Sequence, residues 1–228
     1  EIRNSSTTYH GVSIGNNSLK SARGAMGIGF SNIVTNEFGV ALGVGNQVTG
    51  TYSTAIGSFN TVSGNYAFAE CSGNTSSGLR SHAEGEKTTA SGGSSHAEGV
   101  KVIASGNGSH AEGWSTHSTS MGSHAEGILT YANGASSHAE GSNTIANASC
   151  QHVFGKNNVP EPSSQTPLAD GKYVEIVGNG TSTSQIGNAL SLDWEGNEYL
   201  AGEVYVNCNN DSTGGEKLVK KSDLDDYL

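Results

Sequence analysis

The sequence predicts an all-β chain: a parallel β-solenoid of fourteen-residue coils, homotrimeric, followed by a small antiparallel β domain. Three observations lead there. The stretch from Ser81 to Gly141 spells Ser-His-Ala-Glu-Gly five times at a fixed step of fourteen residues. A step of that length means one supersecondary unit stacked on itself. Only 33% of the 228 residues are hydrophobic and 7% aromatic, while 33 are glycine. That is poor material for a thick core, but it suits thin coils closed by backbone hydrogen bonds and small side chains. The third observation is the strictness of the period, which argues against disorder.

The register extends both ways from this block. Back from His82 it meets Phe68, Thr54, Val40, Met26 and Val12; forward from His138 it meets His152. A glycine follows each three-residue core, except at Cys71. Eleven coils are therefore expected between about residues 10 and 156. Stacked at about 4.8 Å, they make a rod of roughly 50 Å. Along each Ser-His-Ala-Glu-Gly strand, Ser, Ala and Gly point one way and His and Glu the other. Val34, Val48, Val62, Ala90, Ala104, Ala132 and Ala146 form a second column facing the alanines. The interior must then be thin. Gly50, Gly64, Gly78, Gly92, Gly106 and Gly134 recur at a corner, where glycine supplies positive φ or close backbone approach.

The roll is expected to occupy residues 1–156. Pro160, Pro162 and Pro167 lie beyond it and cannot donate to a ladder, so 157–170 reads as a linker. Residues 171–208 alternate apolar and polar side chains over strand lengths, with a hairpin signal at Trp194-Glu195-Gly196-Asn197. Leu190, Leu192 and Trp194 are expected on one face there, and Leu200, Val204 and Val206 on one face of the partner strand. A sheet this small is not stable alone and is expected to trimerise and cap the last coil. Residues 209–228 form a polar tail, read as a short helix with Ser222 as its cap or as a frayed end.

The outer columns of the long strand carry the argument for assembly. Met26, Ile28, Val40, Leu42, Ile56, Phe68 and Phe154 are apolar there, and a thin coil has no room for them inside. The simplest partner is the same strand of another chain, in a closed ring of three. Between these apolar layers the same columns carry His82, Glu84, His96, Glu98, His110, Glu112, His124, Glu126, His138, Glu140 and His152. The axis is then a polar core whose histidines donate to glutamates of their own or a neighbouring chain, since buried polar groups must pair. An axial metal on His82, His96, His110, His124 and His138 is the alternative, because each layer would offer three imidazoles. Catalysis is not expected: an acid–base pair acts once, in a cleft, and these pairs are identical copies. No cofactor is expected. Val100, Trp114 and Ile128 form a further column at a corner, read as a chain–chain contact or an exposed binding stripe.

The net charge is −10, from 11 basic and 21 acidic residues, and no basic stripe is visible. That opposes nucleic-acid binding and docking on anionic membranes. No apolar run approaches the roughly 20 residues that cross a bilayer. Cys71, Cys150 and Cys208 are too few and too scattered for a disulfide framework and read as free thiols from a reducing cytoplasm. Because the sequence opens on Glu1, it is expected to be a processed product or a piece of something longer.

The cores Val-Ala-Leu-Gly, Thr-Ala-Ile-Gly and Val-Ser-Ile-Gly at this step resemble the head repeats of trimeric autotransporter adhesins. The Ser-His-Ala-Glu-Gly version, with the segments that follow it, is similar to tail-fibre and neck-appendage proteins of phages and prophages of Gram-positive bacteria. Residues 153–208 resemble an intramolecular-chaperone autocleavage domain. The resemblance implies a left-handed parallel β-roll and a structural, host-binding part of a phage or prophage tail. Its expected partners are other tail proteins and a host surface glycan or protein. Such a protein is made in the bacterial cytoplasm and acts outside it, in the virion tail. The alternative is the head of a bacterial trimeric adhesin; a third option is an autoproteolytic maturation domain, for which no cleavage residues can be placed.

Overall fold

A computed structural model describes residues 2–3, 11–19, 23–162, 170–201, 205–206 and 216–217. Every regular element among them is a β-strand, and none is a helix that could cross a membrane. Eleven long strands, from Val12–Leu19 to His152–Lys156, recur at the fourteen-residue step. Each pairs in parallel and in register with the next, His82 against His96, Ala83 against Ala97 and Glu84 against Glu98. A second tier of two-residue strands runs from Gln47–Val48 to Ile145–Ala146, again in register. The expected parallel solenoid, two strands to a coil, is what the chain forms.

The core is as thin as composition requires. Ala41, Ala55, Ala69, Ala83, Ala97, Ala111, Ala125 and Ala139 are fully buried and face the equally buried column of Val34, Val48, Val62, Ala90, Ala104, Ala132 and Ala146. Between them run two polar columns. Ser81, Ser95 and Ser137 are buried and donate to the carbonyls of Gly78, Gly92 and Gly134, closing the corner. Asn32, Asn46, Asn60 and Asn74, all buried, form an internal amide ladder. The backbone N–H of Asn46 donates to Asn32 Oδ1 at 3.1 Å, that of Asn60 to Asn46 Oδ1 at 3.0 Å and that of Asn74 to Asn60 Oδ1 at 2.9 Å. The amide nitrogen of Asn46 donates to the carbonyls of Leu42 and of Gly57 in the next coil, both at 3.0 Å. A side chain that bonds upward, downward and within its coil ties three layers together, which an apolar residue cannot do.

Each coil turns through three left-handed backbone positions, and only one of them demands glycine. At Gly113, φ is +111° and an added Cβ would lie 2.2 Å from the carbonyl oxygen of Gly127. Cys71 takes this column's one side chain with φ reduced to +69°. The other two columns point their side chains outward, so Phe38, Tyr52, Phe59, Tyr66 and Arg80 adopt φ between +56° and +58° there. The expected corner glycines behave differently: Gly106 has no positive φ, but its Cβ would sit 1.8 Å from the carbonyl oxygen of Ser120. Close approach, not conformational freedom, selects glycine there.

Each end of the roll is covered by a further strand. At the first coil, Ile2–Arg3 pairs antiparallel with the Val12 strand, Ile2 against Ile14, and covers that edge. At the last coil, Tyr173–Asn179 pairs parallel with His152–Lys156, placing Ile176 beside Val153, both fully buried. It then pairs antiparallel with Asn188–Asp193, which pairs with Glu198–Leu200. The expected antiparallel sheet therefore shares its first strand with the roll and is not a separate layer. The expected linker is stitched down over its described part. Asn157 and Asn158 are buried, and the Glu161 carboxylate accepts from the backbone N–H groups of Lys172 at 2.7 Å and Tyr173 at 3.0 Å.

Trp194 is not core: it sits in the hairpin turn and is 48% exposed, while Asp193 takes the inward position. Its carboxylate accepts from the N–H groups of Glu195 and Asn197 and from the Tyr199 hydroxyl, at 2.8–3.0 Å. The turn is held by a buried acceptor, so the aromatic ring is free to leave. Val204, Cys208 and the proposed Ser222 cap lie outside the described residues; within 209–228 only the strand Glu216–Lys217 is placed, paired with Tyr205–Val206.

Candidate functional site

Parallel in-register pairing puts identical side chains one strand spacing apart, and at that distance flat rings stack. His82, His96, His110, His124 and His138 do so, with centroids 4.6–4.8 Å apart and planes within 6°. Phe68 stacks on His82 at 5.0 Å, and at the other end His152 meets Phe154 at 5.2 Å. The glutamates form a second column beside the rings.

Pairing runs between coils of one chain. Each Nε2 faces the glutamate of the preceding coil: Glu84 to His96 at 3.1 Å and Glu126 to His138 at 3.2 Å are hydrogen bonds. Glu70 to His82 and Glu112 to His124 are looser, both 3.6 Å, and Glu140 to His152 is 3.9 Å. Glu112 therefore faces His124 and not His110, its neighbour within the same strand. His110 is the exception: Glu98 turns to His96 at 3.7 Å instead. Among the described residues His110 is the one ladder histidine with no carboxylate within 4.0 Å. The Nε2 atoms of His82, His110, His124 and His152 are buried without a hydrogen-bond partner.

Side chains of His82, His96, His124 and His138 remain about a third exposed, each at 33%. Partial burial lowers the His124 pKa from its usual value, helped by the neighbouring imidazoles of His138 and His110 and opposed by Glu126 and Glu112.

The apolar residues occupy the same strand face. Met26 is 37% and Ile56 39% exposed; Ile28, Val40, Leu42, Phe68 and Phe154 are half-buried. Val100, Trp114 and Ile128 are paired in one column, at the end of the long strand and not at a corner as expected, with Trp114 and Ile128 nearly half exposed. Sequence reasoning missed the stacked outward column Phe38, Tyr52 and Tyr66, with centroids 4.8 and 5.2 Å apart. Its fourteen-residue spacing was the available signal. A cavity of about 290 Å³ lined by Leu129, Tyr131, Ile145, Pro160 and Ile186 was also missed, because residues distant in sequence build it.

Residues 49–69, 83–113 and 125–147 match the YadA head domain repeat. The matched ranges include the Thr54–Ser58 coil as well as the His-Ala-Glu coils, while the apolar coils at Met26 and Val40 lie outside them. None of them reaches the hairpins after residue 170. No curated protein matches the chain. These parts of the β-solenoid are thus similar to adhesin head repeats, and the ladder lies on their long-strand face.

Proposed function

We propose that this chain is the head of a trimeric surface adhesin, its three rolls packed with the long-strand faces on a common axis. One observation carries this: Met26, Ile56 and the rings of the ladder share a face that a single chain leaves a third or more exposed. Covering that face in all three chains at once removes the apolar surface from water. The head-repeat match supports an adhesin over the phage-tail appendage expected from the sequence. The trimer would carry −30, three times −10, which keeps such a rod soluble and off anionic surfaces. The outward columns then meet a host glycan or protein. The appendage reading keeps one observation in its favour, the β-hairpins built onto the last coil. Sedimentation equilibrium tests the assembly: trimers at micromolar concentration are expected, and a stable folded monomer refutes the axial assignment.

A further inference from the structure

One corner column, running from Gly24 to Cys150 at the fourteen-residue step, takes a positive φ in every coil. Glycine or serine fills it at Ser94, Gly108, Gly122 and Ser136, and the space around the missing Cβ of Gly108 is open. The coil therefore does not need a large side chain there. Yet Phe38, Tyr52 and Tyr66 carry rings at φ +56° to +58°, a conformation that bulky residues rarely adopt. Strain that packing does not require points to use at the surface.

The three rings are parallel within 7°, with centroids 4.8 and 5.2 Å apart, so they cover one another's faces and turn their edges outward. Tyr52 is 50% and Tyr66 59% exposed. Ring edges are the positive part of the aromatic quadrupole, and each phenol adds a hydroxyl donor. Arg23 lies over Phe38, 5.8 Å from the ring centre, and exposed Arg80 follows Tyr66 in the column. Two of the chain's three arginines thus bracket the rings along about 19 Å of the rod. Residues 23–80 hold two glutamates. Glu70 is turned to His82, 3.6 Å away, which leaves Glu37 beside the rings. The chain's net negative charge lies after residue 80, and screening over about 8 Å at physiological salt separates most of it from this strip.

We propose that the strip from Arg23 to Arg80 is a contact surface for an acidic segment of a partner protein. Carboxylates of that segment meet the two guanidiniums and the phenol hydroxyls, and its apolar side chains lie across the ring edges. A sugar packs on the face of a ring. Here the faces of Phe38 and Tyr52 are covered, by Gly24 and Arg23 on one side and by neighbouring rings on the other, which favours protein over glycan. Tyrosine and arginine are also the side chains that dominate protein contacts. The proposal rests on the adhesin reading, in which outward columns meet a host surface, and names the partner of one column.

The test is fluorescence anisotropy of a labelled glutamate–tyrosine copolymer titrated with the full chain, with sedimentation of the same samples. Saturable binding is expected. Tyr52→Ser with Tyr66→Ser places in the column a residue it already holds at Ser94, and should weaken binding about tenfold or more. Arg23→Gln with Arg80→Gln should weaken it as much, and supplies the comparison if the tyrosine variant fails to fold. Glu37→Gln should tighten it. Trp114→Ser, an exposed aromatic on another column, should bind as the wild type does. No saturable binding, or equal binding after either pair of substitutions, overturns the contact surface and leaves the trimer standing. A Trp114→Ser loss equal to that of the tyrosine pair overturns its assignment to this column. Polygalacturonate bound more tightly than the copolymer overturns the protein partner in favour of an acidic glycan. A tyrosine variant that no longer forms trimers places the rings in a chain–chain contact and overturns the proposal, whereas monomers in the wild type refute the adhesin assembly itself.

Discussion

Replacing Gly113 with alanine probes a position that combines close backbone approach with a positive φ. The methyl would lie 2.2 Å from the carbonyl oxygen of Gly127, with φ at +111°. A carbon and a carbonyl oxygen normally stay about 3.3–3.6 Å apart, so the two coils must part by about 1 Å. That movement weakens one or two ladder hydrogen bonds, each contributing about 1 kcal/mol. The backbone conformation costs a non-glycine residue a further 1–3 kcal/mol or so. The expected loss is about 2–5 kcal/mol per chain. Two controls separate the causes. Gly108 has φ +63° and open space around its missing Cβ, so Gly108→Ala should cost only about 1 kcal/mol. Gly106→Ala meets the Ser120 carbonyl oxygen at 1.8 Å without a positive φ and should fall between the two. Urea unfolding followed by circular dichroism, at one fixed chain concentration because assembly shifts the midpoint, gives the order. Equal losses at Gly113 and Gly108 would refute the close-approach argument.

Two further predictions concern buried polar groups. Asn60→Ala leaves the Asn74 N–H and the carbonyls of Ile56 and Cys71 without their amide partner, and should cost about 2–4 kcal/mol by urea unfolding. Asn60→Thr, the residue type that continues this column at Thr88, should cost less. The second prediction concerns pH. The His124 pKa is lowered by burial and by its imidazole neighbours, so the unfolded chain binds that proton more tightly. Its contribution is fully present above the ordinary histidine value of about 6.5 and is lost as pH falls through the lower folded value. Melting temperature should drop on acidification below pH 6.5, and His124→Phe should flatten that drop; an unchanged slope would refute it.

The fourteen-residue step determined the coil, its parallel register and its inward columns, because a strict repeat leaves one way to stack identical units. The strand itself was legible, but it runs His82–Glu86 and so begins one residue later than the motif. Composition alone dictated that alanine, serine and glycine must close so thin an interior. Asn32, Asn46, Asn60 and Asn74 were equally periodic, yet their meaning depends on direction, and a polar residue reads as outward until its partners are seen. The partner of each histidine was settled only in three dimensions. Sequence proximity pairs His110 with Glu112, whereas strand stacking brings Glu112 to His124 and leaves His110 open. The chain's exit was likewise a tertiary decision. An edge of unpaired N–H and C=O groups recruits the nearest strand, so Tyr173–Asn179 joined the last coil in parallel before turning back on itself.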